Sequence, residues 1–147
     1  MNIKIINNSN NPLPEYESYS AAGFDIRAFI DNSDNITSIG PNEHALIKTG
    51  LHMNIPEGYE LQIRPRSGLA FKNKITVLNS PGTIDADYTG EIGIILINHS
   101  DTYFHVRNGD RVAQGVLNKV PQCTFEEVST LAETVRGKKG FGSTGVN

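Results

Sequence analysis

Glycine or proline punctuates this chain every ten residues or so, and the stretches between are short and rich in isoleucine and valine. Short apolar runs closed by turn formers at that spacing are the pattern of an all-β sandwich or barrel. In "YELQIRP" the alternation is clean: Tyr59, Leu61 and Ile63 fall on one face of an extended chain and Glu60, Gln62 and Arg64 on the other. "ITVLN" repeats it, with Ile75, Val77 and Asn79 on one face. Further strands are predicted in "NIKII", "FDIRAFI", "HALIKTG", "LHMNI", "EIGIILIN", "YFHVR", "RVAQGVL" and "FEEV", roughly ten in all, with an Asn-Gly hairpin signal in "RNGD". "EIGIILIN" is apolar on both sides, Ile92, Ile94 and Leu96 on one and Ile95 and Ile97 on the other. Such a strand suits the middle of a sandwich or a subunit interface. Helical signal is confined to "SGLAFKN" (67–73) and a weaker stretch, "STLAETV".

Composition narrows the field. The 147 residues, 37% hydrophobic and 20% charged, suit a single domain, 1–147, able to bury roughly 70% of its unfolded surface. Formal net charge is −3 and the pI about 5.8, which argues against nucleic acid held on a broad basic surface. Any phosphate recognition must then be local, through a few arginines, backbone amides and a divalent ion bridging carboxylates to a ligand. No apolar run is long enough to span a membrane, and "MNIKIINNSNNPLPEYESYS" turns polar after six residues, so a cytoplasmic protein is expected. The single cysteine, Cys123, has no partner for a disulfide or a thiolate cluster and is expected to be buried and structural.

A rigid β scaffold presents chemistry at its turns, and five stretches dense in Gly, Ser, Arg and Asp stand out. "AGFDIRA" (22–28) sets Asp25 after a glycine at a strand start, where it could also merely bond turn amides. "RPRSGLA" (64–70) sets Arg66 before a Ser-Gly pair that could simply open a short helix. "GDRVAQG" (109–115) offers Gln114, which alternates with Val112 and Val116 and could point to solvent. "NSPGTIDADYTGE" (79–91) is the most informative: Asp85 and Asp87 share a face if the chain is extended and diverge in a β-turn, and either way one carboxylate could act as a base toward water. Tyr88 adds an aromatic plate, so base pocket, water activator and anion clamp are all in the inventory.

The last stretch, "RGKKGFGSTGVN" (136–147), spaces Gly140, Gly142 and Gly145 as G-x-G-x-x-G. Only Val146 and Asn147 follow, so the helix that such a loop needs cannot form, and Ser143 stands where a P-loop lysine belongs. By motif alone the segment reads as a disordered tail.

Taken together, the five stretches resemble, in order and from residue 22 to 145, the motifs of the trimeric dUTP pyrophosphatases (dUTPases). The resemblance implies a jelly-roll-like β fold with one short helix, a homotrimer whose active sites are shared between subunits, and hydrolysis of dUTP to dUMP and pyrophosphate with Mg²⁺ on the triphosphate. By position in the motifs, Asp85 would be the base that activates the attacking water. Asn79 and the hairpin backbone, with Gly82, Thr83 and Ile84, would read the uracil edge, and Tyr88 would pack on the deoxyribose. Arg66, Ser67, Gly68 and Gln114 would bind phosphates, and Asp25 would support the metal site indirectly. The β core would end at residue 135 and a flexible arm, 136–147, would close over a neighbouring site: Arg136 on the γ-phosphate, Phe141 stacked on uracil, and Gly142, Ser143 and Thr144 along the triphosphate. Two positions depart from the family pattern, Lys139 where a glycine is usual and Gly115 where a large aliphatic residue is. A dCTP deaminase of the same fold, or a binding trimer without turnover, are the alternatives.

Overall fold

The computed structural model describes residues 1–140. Among them run β1 (Lys4–Asn7), β2 (Phe24–Arg27), β3 (Ile36–Ile39), β4 (His44–Lys48), β5 (Leu51–Asn54), β6 (Tyr59–Arg64), α1 (Ser67–Asn73), β7 (Ile75–Val77), β8 (Gly82–Ile84), β9 (Gly93–Asn98), β10 (Phe104–Arg107) and β11 (Arg111–Lys119). Every pairing is antiparallel, in four small sheets ordered β2-β11-β6-β8, β4-β9-β7, β1-β5 and β10-β3. This is the all-β architecture with one short helix that the punctuation predicts.

Alternation decides what each strand buries. Leu61 and Ile63 of β6 lie in the core with Tyr59 packed against it, while Glu60, Gln62 and Arg64 stay partly exposed in a hydrogen-bonded row. Phe24 and Ile26 of β2, Ile47 of β4, Met53 of β5, Ile75 and Val77 of β7, Val106 of β10 and Val112 of β11 join one apolar cluster, so the sheets close around a common core. Each such side chain taken from water contributes about 1.5–3 kcal/mol. Ile94 and Leu96 of β9, with Ile92 just before it, are buried at 0% exposure. Its second face is not covered in the protomer: Ile95 and Ile97 are half-buried, and Leu46, opposite Ile95, is 64% exposed.

α1 spans the predicted residues. Arg66 is its N-cap in an extended conformation, and Lys74, left-handed at φ 57°, donates its N–H to Ala70 O and Leu69 O at the C-terminal end.

Several expectations need correction. "FEEV" is not a strand and "STLAETV" is not a helix, because residues 121–140 are exposed throughout in the protomer. A short segment without a packed face or a strand partner does not hold regular structure. Cys123 sits in that segment and is exposed rather than buried. Asn79 does not share the buried face of Ile75 and Val77, since β7 ends at Val77 and the chain turns outward. β3 and β8 escape the sequence pattern. Ile36–Ile39 carries only two apolar residues, and Gly82–Ile84 is a glycine-led triplet whose strand character comes from pairing with β6.

Candidate active site

β2 alternates Phe24 and Ile26 inward with Asp25 and Arg27 outward. Its start presses on β11 so closely that a Cβ at Gly23 would lie 2.8 Å from Gln114 Oε1, which is why glycine precedes the strand. Asp25 and Gln114 are cross-strand partners, and Arg64 pairs with Gln114 from the other side. Arg66, two residues past Arg64, therefore folds back over β2. Its Nε donates to Asp25 Oδ1 at 2.7 Å and its Nη2 to Oδ2 at 3.4 Å, while Nη1 donates to Arg111 O at 3.2 Å. Arg111 Nη1 donates to Asp25 Oδ2 at 3.1 Å and to Glu17 Oε1 at 3.2 Å.

Asp25 thus answers two guanidinium groups rather than turn amides, and Arg66 is a clamped rather than a free surface arginine. Gln114 is also tied, its Nε2 donating to Pro65 O at 2.8 Å, which holds the entrance to α1 against β11. Ser67 and Gly68 open the helix on the exposed side; a Cβ at Gly68 would meet nothing within 4 Å, and the first turn carries no acidic residue. Leading amides of a helix lack intrahelical acceptors, so this corner can receive an anion. Arg111 and Glu17 are participants that sequence reasoning did not single out, although Arg111 lies inside "GDRVAQG".

The second cluster is the turn after β8. Asn79 lies over Gly82, where a Cβ would come within 3.3 Å of its Nδ2, and Gly82 is buried against Ile63. Thr83 is exposed, Ile84 packs on the core, and Asp85 emerges beyond it, exposed, at an open groove lined by Asn54–Glu60, Ala86, Asp87 and Gln122. Tyr88 N–H donates to Asp85 O at 3.2 Å, so residues 85–88 form a turn and Asp87 diverges from Asp85. The Tyr88 hydroxyl donates to Glu91 O at 2.9 Å and the ring crosses Gly90, where a Cβ would fall 2.5 Å from the hydroxyl oxygen.

One protomer does not bring the two clusters together. Ile84 faces Leu61 and Gln114 faces Arg64, so Asp85 lies level with Glu60 at one end of β6 while Arg66 follows its other end. Four residues of strand separate those levels, about 13 Å. Arg136 is exposed and turned on itself, Nε donating to Lys139 O at 3.0 Å. Lys139 needs no left-handed backbone, which only Gly137 adopts in that turn, at φ 56°. Phe141, Gly142, Ser143 and Thr144 lie outside the described residues. The other departure has a packing reason: a Cβ at Gly115 would fall 2.8 Å from the Phe24 ring and 3.1 Å from Leu61 Cδ1, so Phe24 fills the room a larger residue would take.

The family model for dUTPase matches residues 9–145. The chain belongs to the dUTPase family. Relatives agree along its length. It is 52% identical over 134 residues to a deoxyuridine 5'-triphosphate nucleotidohydrolase of Rhizobium rhizogenes, covering 91% of this chain and 85% of that one. It is 49% identical to the protein of the same name from Finegoldia magna, covering 99% of each. The fold matches a solved dUTPase of Staphylococcus bacteriophage 80alpha with dUPNHPP at a TM-score of 0.87 and 27% identity, covering 99% of both chains. The jelly-roll β architecture of the dUTPase family is therefore the architecture of this chain.

Proposed function

We propose that this protein hydrolyses dUTP to dUMP and pyrophosphate, with the water that attacks the α-phosphorus activated by Asp85. Membership of the dUTPase family carries the proposal, and relatives at about half identity are named for the same hydrolysis. The Asp85 carboxylate takes a proton from water as the new oxygen–phosphorus bond forms. The bond from the α-phosphorus to the bridging oxygen breaks, and pyrophosphate leaves with the electron pair.

Asn79 and the backbone of Gly82, Thr83 and Ile84 accept the uracil edge, and Tyr88, whose hydroxyl end lies over Gly90, packs against the deoxyribose so that a 2'-hydroxyl is excluded. Unpaired polar groups penalise a wrong base more than a lost methyl contact does. Arg66, held by Asp25, binds phosphate together with the amides of Ser67 and Gly68, and Gln114 supports that corner through Pro65.

Among the described residues no group of three His, Cys, Asp or Glu side chains could hold an ion. Mg²⁺ would enter on the triphosphate, where it would supply charge neutralisation. Asp25 serves that site indirectly, by fixing the arginines around it.

The active unit is a homotrimer. The separation of Asp85 from Arg66 within a protomer and the open apolar face of Leu46, Ile95 and Ile97 both favour sites shared between subunits. In this arrangement residues 1–135 are the body and 136–147 the arm over a neighbour's site, Arg136 and Phe141 with Gly142, Ser143 and Thr144 covering the nucleotide. Pyrophosphate release assayed with dUTP, dTTP, dCTP and UTP tests the proposal. Activity confined to dUTP is expected, and ammonia released from dCTP would contradict it.

A further inference from the structure

The turn bearing Asp85 returns to β9 through residues 85–92, and contacts with β5 and the residue before it tie it down. Glu91 Oε1 accepts from Gly50 N–H at 2.9 Å and Ile92 N–H donates to Leu51 O at 2.8 Å, which fixes the far end. Between that anchor and β8, where Ala86 packs on the core, one further hydrogen bond among the described residues reaches the turn from outside: His52 Nδ1, on β5, lies 3.1 Å from Thr89 O. A carbonyl oxygen only accepts, so Nδ1 carries the ring proton and donates it. On the other side of the ring, Asn8 Nδ2 lies 3.4 Å from Nε2. Thr89 is the residue after Tyr88, which is 44% exposed and whose hydroxyl end lies over Gly90.

We infer that His52 is a positioning residue for sugar recognition: by holding the Thr89 carbonyl it sets the attitude of the Tyr88 ring, and through it the preference for deoxyribose over ribose. The inference rests on the reading in which Tyr88 packs on the sugar. It separates binding from bond breaking, because Asp85 leaves β8 directly and is oriented by the pairing of Ile84 with Leu61.

His52→Leu removes the donor and keeps bulk, whereas His52→Asn retains an N–H near the position of Nδ1. Steady-state pyrophosphate release from dUTP and from UTP, with Mg²⁺ in excess, should show KM for dUTP rising about 3- to 10-fold in His52→Leu, the size of one lost hydrogen bond. The preference for dUTP over UTP should fall with it, kcat should stay within about twofold, and His52→Asn should recover most of the loss. Unchanged kinetics in His52→Leu, a loss confined to kcat, or no recovery in His52→Asn would each overturn the inference. Nitrogen-15 spectra of the unsubstituted protein supply an independent check: the Nδ1–H tautomer is expected, and the Nε2–H tautomer would refute the contact. Failure of the unsubstituted protein to release pyrophosphate from dUTP is a separate result, which removes the dUTP reading and the sugar role together.

Discussion

The Arg66 guanidinium lies edge-on to the Asp25 carboxylate, with Nε 2.7 Å from Oδ1 and Nη2 3.4 Å from Oδ2. Side-chain exposures of 27% and 17% keep the pair partly out of water, so it orders Arg66 more firmly than a surface ion pair would. In Asp25→Asn one acceptor becomes a donor facing two guanidinium groups. We expect kcat/KM for dUTP to fall about 10- to 100-fold, the worth of a charged hydrogen bond, chiefly through KM, as steady-state kinetics will show.

Phe24 and Gly115 make a complementary pair. Because a Cβ at 115 would lie 2.8 Å from two atoms of the Phe24 ring, Gly115→Val should lower stability by about 1–3 kcal/mol through overpacking. Adding Phe24→Leu should restore part of it, so chemical denaturation of the single and double variants should give non-additive changes.

Gly90 is where Tyr88 rests, with hypothetical Cβ distances of 2.5 Å to the hydroxyl oxygen and 2.6 Å to Cζ. Gly90→Ala should lift the ring, release its bond to Glu91 O and reduce the preference for dUTP over UTP by about tenfold, or about 1.4 kcal/mol. Competition between the two nucleotides, followed by product analysis, measures it.

Much of this was legible in the residues, and the exceptions share a cause. β6, β9 and β11 announce themselves because alternation or a sustained aliphatic run is local. α1 does too, since "SGLAFKN" is bounded by the extended Arg66 and the left-handed Lys74. β8 and β3 are strands only because β6 and β10 lie alongside them, which no local pattern records. The same holds at the site. Asp25 and Arg66 could be picked from their motifs, but the roles of Arg111, Glu17 and His52 depend on which carboxylate or carbonyl the fold places next to them. "FEEV" and "STLAETV" misled because they carry apolar residues, Phe125 and Leu131 among them, that the protomer does not bury.

Removal of residues 136–147 tests the arm. The shortened chain should keep the fold, since the last strand among the described residues ends at Lys119, and should lose most of its turnover of dUTP. Full activity after truncation would show that the segment is not a lid.

The central claim is that Asp85 activates the water at the α-phosphorus, and pyrophosphate release by Asp85→Asn alongside nucleotide binding tests it most directly. The account predicts turnover reduced at least about 10³-fold, because an amide cannot take the proton, with affinity for a non-hydrolysable dUTP analogue within a few-fold of the unsubstituted protein. Turnover within about tenfold of the unsubstituted protein would contradict it.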